Sequence, residues 1–226
     1  NRPWILVLDA ALEKPTVPGH DPVMTNELLW LSNKPVTDLL RYSAQSSLDF
    51  RHGPTTKVLG LQDLIDLPPS FNPRTLQLAA DIRRDPRFAQ ADASVLVPEV
   101  MRRLRTGGYT YTLEPGLYGR NTADEFWFDK KEGFCEHIAS SFVILMRALD
   151  VPARIVTGYQ GGEMNTVDGF WTVRQSDAHA WTEVWQPGRG WLRVDPTSAV
   201  SPGRIGQFQR LAAPQGIVAS AFGTVL

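Results

Sequence analysis

The stretch from Gly133 to Leu149 limits the possible folds more than any other part of the chain. It opens Gly133-Phe134-Cys135-Glu136-His137-Ile138-Ala139-Ser140. Ala139, Phe142, Met146 and Leu149 recur at three- and four-residue steps, and Ile138, Val143 and Leu145 widen that stripe. A helix apolar around this much of its circumference belongs in an interior. Pro152 stops it, because the residue before a proline avoids helical backbone. Apolar runs at 153–159, 170–175, 179–185 and 191–195 then read as strands, with turns at Gly161-Gly162 and Pro187-Gly188-Arg189-Gly190. A central helix laid on an antiparallel sheet is an α+β layer arrangement.

The flanks divide by composition. Residues 1–70 are rich in Pro, Asn, Asp and Ser, with short strands expected at 4–8 and 27–31 and turns at 15–21 and 32–35. This strand-rich region reads as part of an incomplete β domain, closed by 61–67 ahead of Pro68-Pro69. From 71 the pattern turns helical, 71–210 reads as the α+β domain that carries Cys135, and 211–226 is a small apolar tail. Asn72 is expected to cap a helix with Pro73 at its first position, where a missing N–H costs nothing. Leu76, Ala79 and Ile82 share that helix's inner face. A second helix is expected to begin at Pro98, with Met101 and Leu104 inward and Arg102, Arg103 and Arg105 on a solvated face. Gly107-Gly108 ends it, and Tyr109-Thr110-Tyr111-Thr112 alternates like a strand.

Charge narrows the partners. A formal net charge of −1, with no block of Lys or Arg, argues against nucleic acid and against an anionic lipid surface. One cysteine cannot make an internal disulfide. No apolar run of roughly 18 residues offers a membrane-spanning helix, and no signal peptide is visible. The chain enters directly on an apolar run at Trp4, which reads as a cut made inside a larger protein.

The chemistry centres on that one cysteine. Cys135 falls at a helix start, where unpaired N–H groups and the positive dipole end favour a thiolate and can receive an oxyanion. A buried free Cys is ordinarily just a small hydrophobe. The glycine turn before it and the polar Glu136-His137 after it argue otherwise. His179 and Asp195 follow in order on strand-like segments. If Gln186 pairs with Gly190, Trp181 faces Asp195, and His179 lies two residues off on the same face, within side-chain reach. The arrangement is that of a nucleophile, a base and an orienter. His137 lies two residues from Cys135 on the helix, so it points elsewhere and suits a structural hydrogen bond. With one Cys and four His spread along the chain, a metal site is not expected. Phe126-Trp127-Phe128 lies before the Cys turn, so Trp127 is a candidate to line a cleft or donate its N–H to an oxyanion.

These residues resemble the transglutaminase-like superfamily. The resemblance is carried by 126–140, by Pro152-Ala153-Arg154-Ile155-Val156-Thr157-Gly158-Tyr159, by Asp177-Ala178-His179-Ala180-Trp181 and by Val194-Asp195-Pro196-Thr197. The strong motifs run from Tyr109 to Ile205, and Trp127 and Ile138 depart mildly from the pattern. The likeness is to the bacterial membrane-anchored type, whose transmembrane helices flank a periplasmic domain. It implies a papain-like α+β core with Cys135 as nucleophile, His179 as base and Asp195 as orienter. It also implies no cofactor, a protein or peptide glutamine donor, an amine acceptor and a periplasmic location, with the membrane reached through segments outside this chain. Water in place of the amine would make the same machinery an amidase or peptidase acting on envelope peptides. A degenerate binding module would show no selective reactivity at Cys135.

Overall fold

The computed structural model describes residues 2–203. The chain divides into two units. One holds the residues up to Thr56 together with Pro187–Trp191, and the other holds Lys57–Gln186 with the residues from Leu192 on. The division falls at Thr56 rather than near 70. The 3-10 helix Leu59–Leu64 buries Leu61, and the Arg147 guanidinium donates to the Asp66 carbonyl at 3.1 Å, which ties this stretch into the second unit. The expected tail at 211–226 and the end of the expected domain at 204–210 lie outside the described residues.

The first unit is built of short antiparallel strands. They are β1 (Arg2–Ile5), β2 (Ala10–Ala11), β3 (Val23–Met24), β4 (Trp30–Val36) and β5 (Ser46–Ser47), paired β1-β4-β3 and β2-β5. Its core is small: Ile5, Val17 and Trp30, with Val7, Ala11, Val36, Leu40 and Tyr42 packed around them. Two expectations fail here. Residues 32–35 lie in β4 rather than in a turn, and residues 27–29 form the β3–β4 turn rather than a strand. The first miss follows from a bulge. Arg2 pairs with Val36 but Trp4 with Leu31, so the register slips around Pro3 and Pro35, neither of which can donate to a ladder. The second follows from Thr25, whose hydroxyl accepts the Glu27 and Leu29 N–H groups at 3.2 Å each.

The second unit is α+β. Helices α1 (Pro73–Arg84) and α2 (Ala93–Thr106) precede β6 (Thr110–Tyr111). The short helix α3 (Thr122–Asp124) runs into a π-helical turn, Glu125–Lys130, and then β7 (Glu132–Gly133). Helix α4 (Cys135–Ala148) follows, then β8 (Ala153–Tyr159), β9 (Glu163–Met164), β10 (Trp171–Thr172), β11 (Ala178–Gln186), β12 (Gly190–Val194) and α5 (Thr197–Val200). Strands β12-β11-β8 form the sheet against which α4 packs, and α1 and α3 pack on α4 as well. Phe126, Ile138, Phe142, Leu145, Met146, Leu149, Leu96, Leu104 and Val184 form its fully buried centre. The run at 170–175 does not join this sheet: β10 pairs only with β9, as a separate two-stranded ribbon. Among the described residues no helix is long and apolar enough to cross a membrane.

Two helices are capped otherwise than expected, each by a carboxylate, although α1 begins at Pro73 as expected. Asp92 accepts from the Ser94 N–H at 2.8 Å and starts α2 at Ala93, leaving Pro98 inside the helix. Asn72 does not cap α1 with its side chain. The Asp124 carboxylate does so instead, accepting from the Arg74 and Thr75 N–H groups at 3.0 and 2.7 Å. Asn72 returns the favour to α3, its side-chain oxygen accepting the Ala123 N–H at 3.0 Å. Each helix start is thus capped from the other, about 50 residues away in sequence.

Candidate active site

Cys135 is the first residue of α4, and it is 8% exposed. The end of β7 that delivers it needs Gly133, since a Cβ there would lie 2.7 Å from the Cβ of His137. Phe134 stands at the N-cap in extended conformation and offers no side-chain cap. The first intrahelical bond runs from the Ile138 N–H to the Phe134 carbonyl. The N–H groups of Cys135, Glu136 and His137 therefore have no partner within the helix. Cys135 packs with Ala139 and Ala180, flanked by Tyr111 and Phe134.

His179 is the second residue of β11 and is 5% exposed. Its Nε2 lies 2.8 Å from Oδ2 of Asp195, which directly follows β12. Cys135 lies close enough to this ring to contribute to its basicity. Of the three side chains singled out in the sequence, His179 and Asp195 are hydrogen-bonded to each other, and Cys135 lies near the His179 ring. The expected hairpin register is consistent with a second contact, the Thr182 hydroxyl donating to the Val194 carbonyl at 2.6 Å. Asp195 is held from its other oxygen, Oδ1, by the Thr197 N–H at 3.1 Å.

The electrostatics follow from these partners. Burial alone would lower the His179 pKa. The hydrogen bonds and negative charges of Asp195 and Cys135 outweigh it and raise the value from 6.5 to about 9. An imidazolium is therefore the stable form of this ring at neutral pH.

Trp127 takes no part in this arrangement. It is buried in the core, and its indole N–H donates to the Ser141 carbonyl at 3.2 Å. A donor spent on a helix carbonyl, six residues and roughly 9 Å of rise beyond Cys135, is not available to an oxyanion. His137 also departs from expectation. Its Nδ1 is buried and makes no hydrogen bond. Its ring sits between Tyr118 and Phe134, each 4.4 Å away between centroids. Burial first, and Lys130 second, lower its pKa below 6.5. Among the described residues, no cluster of three His, Cys, Asp or Glu side chains is placed to hold a metal ion.

One neighbour of the site, Tyr111, is not announced by the sequence, and a second, Trp181, falls on the His179 face as the strand spacing predicts. Tyr111 reaches Cys135 because β6 runs parallel to β7, pairing Tyr111 with Gly133. The alternation at 109–112 announced a strand but not its partner. Trp181 stacks beside His179, with centroids 6.2 Å apart and planes tilted by 25°. Gly158 makes room for it, since a Cβ there would lie 2.8 Å from the tip of the Trp181 ring. Arg193 covers Trp181, its guanidinium carbon 4.3 Å from the ring centroid.

Comparison with known proteins places these features in a family context. The Transglutaminase-like superfamily model matches residues 89–196. A Pseudomonas aeruginosa protein named protein-glutamine gamma-glutamyltransferase is 38% identical over 215 residues, covering 92% of this chain and 30% of its own length. YebA, an uncharacterized protein of Bacillus subtilis, is 31% identical over 140 residues, covering 59% of this chain and 18% of its own. The chain thus spans about a third or less of the length of these relatives. The crystal structure of the periplasmic domain of TgpA from P. aeruginosa superposes with a TM-score of 0.81 at 35% identity, covering 91% of this chain and 69% of that one. The same domain bound to ethylmercury gives a TM-score of 0.80, also at 35% identity, covering 90% of this chain and 70% of that one.

Proposed function

Because this chain belongs to the transglutaminase-like superfamily, we propose that it transfers the acyl group of a glutamine side chain to a primary amine through a thioester on Cys135. The observation that supports this reading is the His179–Asp195 hydrogen bond at 2.8 Å beside Cys135, the first residue of α4.

In this scheme the Cys135 sulfur attacks the carboxamide carbon after its proton has passed to His179. The carbonyl oxygen becomes an oxyanion at the start of α4, where the uncapped N–H groups stabilise it. The C–N bond then breaks. The nitrogen takes the proton from the His179 imidazolium and leaves as ammonia. A primary amine attacks the thioester next, gives its proton to His179 and expels the Cys135 sulfur. Asp195 fixes the imidazole tautomer and steadies its cation through both halves. The donor is a protein or peptide glutamine. The likeness to the TgpA domain extends the proposal to the periplasmic side of the inner membrane, with the tether in segments outside this chain.

Incorporation of a labelled primary amine into a glutamine-rich protein tests the reading, with Cys135→Ala run alongside and released ammonia followed in the same tubes. Wild type should incorporate the label, and the substitution should remove the reaction by a factor on the order of 10^4 or more. Cys135-dependent ammonia release without incorporation would make water the acceptor and defeat the transferase reading. An organomercurial supplies a second check. Cys135 is the only thiol in the chain, so one equivalent should abolish transfer.

A further inference from the structure

Between β8 and β11 the chain leaves the buried sheet and folds into the β9–β10 ribbon. The base of this excursion is fixed. Ala178 pairs with Tyr159, and the Gln160 N–H donates to the Asp177 carbonyl at 2.9 Å. The ribbon therefore rises from the sheet end that carries His179, whose neighbour in the strand is Ala178. Its tip is a shaped turn. The Asn165 N–H donates to the Phe170 carbonyl at 2.8 Å, and the Asn165 and Asp168 side chains accept the Val167 and Phe170 N–H groups.

The ribbon displays apolar side chains instead of burying them. Met164 stands directly opposite Trp171. Val173 directly follows β10. Met164, Trp171 and Val173 are 52%, 62% and 51% exposed, and Phe170 beside them is 72% exposed. A contiguous apolar surface of this kind is characteristic of a contact face. Its charge character is equally specific. Glu163 and Arg174 neutralise each other across the ribbon at 2.6 Å, and Asp168 is engaged in the turn. The face therefore suits an apolar ligand.

We propose that this face docks apolar or aromatic residues flanking the donor glutamine, so that the ribbon selects which glutamines reach Cys135. The inference rests on the acyl-transfer reading above. A glutamine carboxamide delivered to Cys135 and His179 brings its own polypeptide past the sheet end from which the ribbon rises. The residues on either side of that glutamine then meet Met164, Trp171 and Val173.

Two labelled glutamine peptides of equal length test this, one with Phe and Leu beside the glutamine and one with Ser and Asn. Wild type should favour the apolar peptide in kcat/KM by about tenfold, chiefly through KM. The triple substitution Met164→Ser, Trp171→Ser, Val173→Ser should bring the ratio close to unity, with circular dichroism checking that the variant is folded. An unchanged ratio would overturn the proposal. Binding of both peptides to the Cys135→Ala protein, read by fluorescence anisotropy, separates docking from chemistry. Ribbon-dependent binding with no transfer by wild type would keep the docking face and remove the acyl-transfer reading. Transfer without ribbon-dependent preference would do the reverse. Sedimentation velocity and cosedimentation with phosphatidylethanolamine vesicles complete the set. Ribbon-dependent self-association or vesicle binding, with no peptide preference, would assign the face to a second copy or to lipid and overturn the proposal.

Discussion

Two histidines of the second unit, His179 buried and His137 half-buried, lie beside the same helix start, and their basicities move in opposite directions. His179 rises to about 9 and His137 falls below 6.5. Burial lowers both. The difference lies in the partners. His179 faces the Asp195 carboxylate and Cys135, whereas His137 lies between two aromatic rings with Lys130 as the nearby charge. Burial by itself yields a neutral, inert ring. A carboxylate aimed at one nitrogen turns an even more buried ring into a proton carrier. The two sites therefore serve as internal controls for each other.

Within this comparison, the largest effect should come from removing the carboxylate. Asp195→Asn keeps the shape but offers an amide that no longer fixes the tautomer needed at Cys135. Amine incorporation should fall by about 10^3 to 10^4-fold. The His179 pKa should drop from about 9, and titration of its ring proton by NMR would show the change. Retention of a pKa near 9 in this variant would transfer the credit from Asp195 to Cys135.

The pH dependence should follow the same logic in wild type. In the proposed scheme the leaving ammonia takes its proton from the His179 imidazolium, so the acylation rate should decline as pH rises through about 9. Stability carries the matching sign. A folded-state pKa raised above 6.5 contributes stabilisation that is complete below pH 6.5 and lost as pH rises through about 9. The melting temperature should fall over that window in wild type, and Asp195→Asn should flatten the fall. An equal fall in both proteins would mean that another group is responsible.

Gly158→Ala tests the support of the His179 ring. The added methyl would meet the Trp181 ring at 2.8 Å and push it away from its stacked position beside His179. Stability should drop by about 1–3 kcal/mol, and denaturant melts would measure it. The same substitution at Gly60, where a Cβ meets nothing within 4 Å, gives the reference.

The sequence was most legible where side-chain periodicity and chain order carry the information. The helix at Cys135, the strands at 153–159 and 179–185, and the side on which His179 meets Asp195 all follow from local spacing and hairpin parity. It was least legible where the deciding partner is distant. Asp124 caps α1 from about 50 residues away, and no rule at Asn72 announces it. Tyr111 reaches Cys135 only because two two-residue strands pair in parallel. Trp127 shows the converse failure. Its proximity to the Cys turn suggested an oxyanion donor, but its N–H is spent on the Ser141 carbonyl. The run at 170–175 has the alternation of a sheet strand, yet its apolar residues face outward on a ribbon.

The smallest predicted effect is at His137. Its buried Nδ1 makes no hydrogen bond, a cost that a hydrocarbon ring of similar shape avoids. His137→Phe should keep the aromatic packing against Tyr118 and Phe134 and stabilise the protein by about 1 kcal/mol. The sign of its pH effect is opposite to that at His179. A folded-state pKa depressed below 6.5 contributes stability that is present above pH 6.5 and lost as pH falls below it. The variant should therefore gain most in acid, and melts at pH 5 and pH 8 would show a larger difference from wild type at pH 5. A variant that lost stability at both values, or lost it chiefly in acid, would mean that His137 holds its place through its nitrogens and that partners distinguish the two histidines less sharply than their surroundings suggest.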